Sequence, residues 1–283
     1  MKMKNLCRQK GLFALMLAPI FGAAQGVTFR VTVQSNAPSG GVGITPVWGG
    51  FHNGSFDSYD GGLSSQAGLE RLAEDGNTSV ISSDFRAGYT YVDNGTSATV
   101  LTTQTTGRQD FTLGSGPILS GGSASTYVSG LSLAENRYFS YASMVLPSND
   151  YYIANGNPLG IDLQSLYTSG GSLSFNIGLA GTINDAGTEV NDYNTSAANG
   201  LFGLSGGQSA ANTGADENGA NVNVANAYSD FGISVPAEFD FNNASLYSNG
   251  LATVTITAVP EPSSLMLLGV GAVGLAARRR RNA

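Results

Sequence analysis

The sequence predicts an all-β fold, an antiparallel β-sandwich of Greek-key type with a short helical insertion after the first strands. Three observations predict it. Val27, Phe29, Val31 and Val33 alternate with Thr28, Arg30 and Thr32, and near the other end Ala252, Val254, Ile256 and Ala258 alternate with threonines, the period of a strand with one apolar face. The 39 glycines in 283 residues are about twice the usual share, and the 12% of charged residues about half of it. Gly, Ser, Thr and Asn dominate, with aromatic residues scattered among them, a mix that suits many short strands joined by turns. The aromatic and β-branched content is too high for a disordered chain.

The chain opens with Lys2, Lys4, Arg8 and Lys10, followed by an apolar run from Gly11 to Phe21 and the small residues Gly22-Ala23-Ala24. This is the pattern of a cleavable secretory signal peptide over residues 1–24, cut by signal peptidase after Ala24. Cys7 precedes the apolar run, so it is not a lipoprotein cysteine, and it leaves with the signal. The exported domain, residues 26–258, therefore has no intramolecular disulfide.

After the first strand, Asn36–Gly41 reads as a turn and Val42–Trp48 as a strand whose Pro46 marks an edge or bulge. Phe51–Gly62 reads as a loop carrying His52, the one histidine. A helix follows, with Ser64 or Ser65 as N-cap, Ala67, Leu69, Leu72 and Ala73 on its apolar face, and Asp75-Gly76 as its end. Thr78–Phe85 is a candidate second short helix. Further strand candidates are Ala98–Thr103, Ser125–Leu133, Tyr138–Leu146, Leu173–Leu179, Phe231–Val235 and Leu251–Val259. Asn191–Ala220, rich in Asn, Gly, Ala and Ser, reads as a long surface insertion. The first and last strands are candidates for neighbours, as in many Greek-key sandwiches.

The end of the chain has its own grammar. Val259-Pro260-Glu261-Pro262 is held extended by its two prolines. The apolar run Leu265–Ala277 follows, then Arg278, Arg279, Arg280 and Arg281. A helix from Ser263 to Ala277 would be about 22 Å long, short against a hydrocarbon core of about 30 Å, and the arginines would hold it on the cytoplasmic side. Motif, marginal transmembrane helix and basic stop together resemble the PEP-CTERM sorting tail of Gram-negative bacteria that make exopolysaccharide. The resemblance implies that residues 259–283 are a sorting signal, that exosortase cuts near the Pro-Glu-Pro element after transient anchoring in the inner membrane, and that the protein reaches the envelope or the extracellular matrix.

Removing both ends changes the charge. Every lysine and five of the arginines lie in the targeting segments. Between residues 26 and 258, five arginines stand against nineteen acids, leaving a domain near −14. Such a surface repels nucleic acid, anionic lipid and acidic polysaccharide and suits a cation such as calcium. A bound metal can supply part of the stability that disulfides would otherwise give.

Three stretches bear on family. They are Gly68-Leu69-Glu70-Arg71-Leu72-Ala73-Glu74-Asp75-Gly76-Asn77, then Ser143-Met144-Val145-Leu146-Pro147-Ser148-Asn149-Asp150-Tyr151-Tyr152, then Asp185-Ala186-Gly187-Thr188-Glu189. In this order, after an alternating first strand, they resemble the spondin domain of F-spondin and mindin, also found in bacterial exported proteins, over roughly Val27–Val259. The resemblance implies a β-sandwich with a helical excursion, a role in matrix or cell adhesion, and a calcium site on Asp150, Asp185 and Glu189. Glu189 stands where the family usually has Asp. The residues agree with this chemistry. Calcium takes several hard oxygens from carboxylates, carbonyls and water, and Gly187 permits a tight turn between two of the acids. Without the resemblance, Asp150, Asp185 and Glu189 read first as solvated turn acids, since Asp favours turns. Asp192 is a further candidate ligand, whereas Asp216-Glu217-Asn218-Gly219 lacks the spacing of an EF-hand loop.

An enzyme is not expected. A hydrolytic triad would have to use His52, no Gly-x-Ser-x-Gly elbow precedes a helix, and no His/Cys cluster suits zinc. The leading reading is an exported, calcium-binding, non-enzymatic adhesion or matrix protein with a glycan or protein ligand. The alternatives are a carboxylate-dependent glycosidase acting on exopolysaccharide and a passive structural component of the matrix.

Overall fold

The computed structural model describes residues 26–91, 100–101, 107–191, 214–224 and 247–260. Two antiparallel sheets face each other. The first is four-stranded, in the order β10 (Ser172–Ile177), β13 (Ala252–Val259), β1 (Val27–Ser35) and β7 (Ser123–Leu131). The second runs β12 (Val222–Asn223), β11 (Asn184–Asp185), β9 (Tyr151–Ala154), β8 (Tyr138–Leu146), β3 (Val47–His52) and β6 (Gln109–Leu113), with β2 (Gly43–Ile44) also on β8. A two-stranded piece joins β4 (Tyr89–Thr90) to β5 (Val100–Leu101). The predicted sandwich is the observed one, and its first and last long strands pair directly, Val31 opposite Ile256 and Val33 opposite Val254.

Alternation explains the four-stranded sheet. Phe29, Val31, Val33, Val254 and Ile256 point inward and are buried. They meet Phe51, Phe139, Val145, Tyr151 and Ile153 of the second sheet in one core, the arrangement of two sheets that share an apolar interior. The second sheet is covered on both sides. Its outer face carries Trp48, Ala142 and Tyr152, packed under Leu69, Leu72 and Ala73 of α1 (Ala67–Asp75) and Ile81 and Phe85 of α2 (Ser79–Arg86). The fold therefore has three layers where α1 and α2 lie. This is why β8 and β9 are buried along nearly their whole length and lack the alternation of a half-exposed strand.

Trp48 is the centre of the helix-facing cluster. Its ring lies 5.4 Å from Phe56 and 5.2 Å from Phe85, and its Nε1–H donates to Asp110 Oδ2 at 3.0 Å. The other oxygen of Asp110 pairs with Arg86. Arg108 is buried beside this cluster and donates to the carbonyls of Phe85 in α2, of Tyr89 and of Ser55 in the loop after β3, tying three separate segments together.

Several expectations are corrected in detail. Val42–Trp48 is two strands broken around Pro46, since proline has no N–H for the ladder. The strand after it continues through Phe51 to His52 instead of ending in a loop. Gly49 and Gly50 hide its period: a Cβ on Gly49 would come within 2.5 Å of the Phe111 ring, so only glycine permits that packing. His52 is consequently a buried strand residue. Helix α1 begins after Gln66 without a side-chain cap, and Ser65 spends its hydroxyl on the Ala186 carbonyl and Asn221. Gly76 ends that helix in the left-handed conformation, as expected. A short helix, α3 (Gln164–Ser169), lies outside the predicted helical region. The signal peptide, the candidate strand Phe231–Val235 and the tail beyond Pro260 lie outside the described residues. Among the described residues no helix is long and apolar enough to cross a membrane.

Candidate metal centre

Strand pairing assembles the site from three separate segments. Asp150 follows the turn after β8, whose Leu146–Pro147 peptide is cis, and immediately precedes β9. Asp185 ends β11, opposite Tyr151 of β9 on one side and Val222 of β12 on the other. The segment from Gly214 to Val224 returns along the 187–190 loop: Val190 N–H donates to the Ala215 carbonyl, Glu217 N–H to that of Thr188 and Gly219 N–H to that of Gly187. Together these put Asp150, Asp185 and Glu217 at one end of the sandwich. One carboxylate oxygen from each lies within 4.8 Å of the other two.

The two aspartates are held in place by hydrogen bonds from the protein itself. Asp150 Oδ2 accepts the backbone N–H groups of Thr188 and Glu189 at 3.1 and 3.2 Å. Asp185 Oδ1 accepts Gly187 N–H at 2.7 Å, and its Oδ2 accepts the Asn191 side-chain amide at 2.8 Å. Asp150 is fully buried, and its Oδ1 has no hydrogen-bond partner among the described residues. Burial, reinforced by the charge of Asp185, pushes the Asp150 carboxyl well above the usual range, against the two backbone donors that lower it. A buried carboxylate with one oxygen unsatisfied is costly. Either a proton or a cation shared with Asp185 removes that cost, and hard oxygens in this arrangement suit calcium.

Glu189 plays a different part from the one its position suggests. Its backbone N–H holds Asp150, while its carboxylate Oε1 accepts Gly214 N–H at 3.0 Å. That side chain turns toward the returning segment and α1, where burial raises its pKa. The third carboxylate beside the aspartates is Glu217, drawn from the Asp216-Glu217-Asn218-Gly219 turn. The signal for it in the sequence is only a turn signature, with Asn218 at φ 58°. What brings it to the site is pairing across some thirty residues of chain, and no local pattern encodes that pairing. Asp192 lies outside the described residues.

Gly187 is the hinge of the arrangement. Its φ is +64°, and a Cβ there would come within 2.6 Å of the Ala220 carbonyl oxygen. Gly187→Ala is therefore expected to push the 214–220 segment off the site. If the cluster holds calcium, its affinity, read by calorimetry, should fall while the core remains folded. Unchanged affinity would show that Glu217 is dispensable.

The helical excursion is bolted to the same loops. Asn221 accepts from Ser65 Oγ and from Tyr152 Oη and donates to the Leu63 carbonyl. Glu74 of α1, paired with Arg71, is raised to about 7 by burial, with the Glu189 charge contributing in the same direction and a hydrogen bond from Thr188 opposing it.

His52 sits far from this chemistry in character. Its Nδ1 accepts Gly54 N–H at 3.0 Å, so Nε2 carries the proton and donates it to Ser140 Oγ, also at 3.0 Å. A base acting on Ser140 would need the opposite tautomer. Burial and the nearby Arg108 lower its pKa to about 3.

Against known families, residues 258–281 match the PEP-CTERM protein-sorting motif. The chain thus carries an export and sorting signal of the kind processed by exosortase, which marks it as an envelope or extracellular protein. No curated protein matches the chain.

Proposed function

We propose that this exported, exosortase-processed protein is a non-enzymatic, calcium-binding sandwich of the adhesion or matrix type. The observation that carries the reading is the buried Asp150 carboxylate, with Oδ1 unpartnered beside Asp185 and Glu217. Calcium is the cofactor this donor set favours, held by Asp150, Asp185 and Glu217, with Glu189 positioning Asp150 through its backbone. The spondin resemblance has no family match behind it. It rests on the order of three short motifs, two of which supply Asp150 and Asp185, and the three-layer fold is compatible with it. A glycosidase reading is less well supported. Its two carboxylates must reach a sugar ring from opposite sides, whereas Asp150 and Asp185 are 0% and 6% exposed.

Matrix fractionation tests the reading. The wild-type protein is expected to be retained more fully in the matrix fraction with calcium than with chelator, and Asp185→Asn should show the lower retention in both. Equal retention of wild type and variant under all conditions would overturn the calcium-dependent role. Processing is checked separately by intact-mass analysis of the extracellular chain. Its expected start is near Gln25 and its expected end near Pro260–Pro262. Recovery only of species that retain Arg278–Arg281 would contradict cleavage at the sorting signal.

A further inference from the structure

The outer face of the four-stranded sheet is built from short polar side chains in register. In one row Ser174, Thr255, Thr32 and Ser125 lie side by side across the four strands. In the next, Ser172 and Thr257 lead to Arg30 and Tyr127. Strands in a sheet lie about 4.8 Å apart and same-face residues about 6.7 Å apart along each, so the hydroxyls form a regular grid. The grid is pre-ordered. Ser172 bonds Thr257 and Ser174 bonds Thr255 at 2.8 Å, and Thr253 donates to Asn176 at 2.9 Å. Each hydroxyl has one donor and two acceptor positions, so capacity remains for an outside partner.

Charge singles this face out. In a domain near −14, its strands place no carboxylate on it, and Arg30 is its one ionic group. Tyr127 is 61% exposed, with the Arg30 guanidinium 6.0 Å from its ring centre. At the β7 edge the face continues into a groove of about 640 Å3, whose lining includes Thr112, Ser115, Ser123 and Ser125 and no charged side chain.

We propose that this face and its edge groove bind a neutral polysaccharide chain. Ordered hydroxyls and amides exchange hydrogen bonds with sugar hydroxyls, and an exposed aromatic ring offers an apolar platform for a sugar face. An anionic polymer is disfavoured because the rest of the domain repels it within a Debye length of about 8–10 Å. A protein interface centres on several buried aromatic, aliphatic or arginine anchors, and here Tyr127 is the sole large apolar group. The inference names the ligand class for the matrix reading and rests on it for its setting, but not on the calcium centre.

Affinity electrophoresis of the secreted chain tests it, in gels containing dextran, hydroxyethyl cellulose, galactomannan or, as the anionic arm, alginate, each with calcium and with chelator. Mobility is normalised to a polymer-free gel. At least one neutral polymer should retard the wild type under both conditions. Tyr127→Ala should weaken retardation roughly tenfold, a loss of about 1.4 kcal/mol. Thr32→Glu, a carboxylate at the centre of the grid, should abolish it, and Thr32→Ser should preserve it and control for folding. Retardation by none of the neutral polymers, by alginate alone, or equally for wild type and Thr32→Glu would overturn the proposal. Two further results would also overturn it: a photo-crosslinker at Ser125 that captures only protein, or binding lost in chelator, which would place the ligand at the metal loops. In either case the calcium-dependent reading would stand.

Discussion

Calcium at one hundred times its dissociation constant is expected to stabilise the domain by about 2.7 kcal/mol, which at about 2–4 °C per kcal/mol for a domain of this size raises the melting temperature by roughly 5–11 °C. The physical source is the Asp150–Asp185 pair. Without a cation, one buried carboxylate must keep a proton or repel its neighbour. Asp185→Asn removes a charge at constant shape and should abolish most of the shift. Asp150→Asn should do the same, and because an amide can donate toward Asp185, it should also make the calcium-free domain more stable near pH 8. Magnesium should substitute poorly, since it demands a tighter octahedral shell. Coincident melting curves in calcium and chelator, with no heat of binding at millimolar calcium, would remove the site from consideration.

The pH dependence follows from the same groups. A carboxyl whose folded pKa is raised contributes stability that is complete below its unfolded pKa and is lost as pH rises through the folded value. Asp57 rises from 3.8 to about 7, chiefly through burial and then the charge of Asp60. Glu74 rises from 4.5 to about 7 through burial and the charge of Glu189. Asp150 moves in the same direction. His52, lowered to about 3 by burial and Arg108, works the other way below its unfolded value of 6.5, but one group against three leaves the calcium-free domain more stable at pH 5 than at pH 8. Calcium affinity should increase over that interval, as binding displaces the proton of Asp150. Thermal melts at the two pH values check the first sign, and calorimetry in buffers of different ionisation enthalpy checks the second. Greater calcium-free stability at pH 8 would contradict the electrostatic account.

Trp48→Ala should cost about 3–5 kcal/mol, the range for deleting a large buried aromatic side chain, and lower the melting temperature by roughly 6–20 °C. The ring is fully buried and fills the space between β3, Phe56 and Phe85. Its loss opens a cavity between the sheet and both helices. It also strips the buried Asp110 of one donor, leaving Arg86 alone to satisfy it. Trp48→Phe keeps most of the packing and loses the Nε1 bond, so its cost should be smaller. Chemical denaturation distinguishes the two variants. A loss below about 1 kcal/mol for the alanine variant would mean that the helices are not anchored through this ring.

Local periodicity and short-range steric rules encode one part of this molecule. The alternation in Val27–Val33 and Ala252–Ala258 specifies two half-exposed strands, Tyr138–Leu146 reads correctly to the residue, and Gly76 stops α1 because the left-handed conformation suits glycine. The Pro-Glu-Pro tail and its arginines are likewise local. So is Gly187, whose turn between Asp185 and Glu189 is legible from its missing Cβ. The tertiary structure alone decided which carboxylates meet. Glu217 joins Asp150 and Asp185 because the 214–224 segment pairs with the 187–190 loop and with β11, and the Glu189 carboxylate is turned aside to accept the Gly214 N–H of that same segment. It also decided the fate of β3 and β9. Buried on both faces, they show no polar/apolar alternation, and the packing that selects Gly49 under Phe111 arises only once β6 lies beside them. Contacts between segments far apart in the chain leave no period in either segment, so those parts of the fold and of the site become visible only when the layers are assembled.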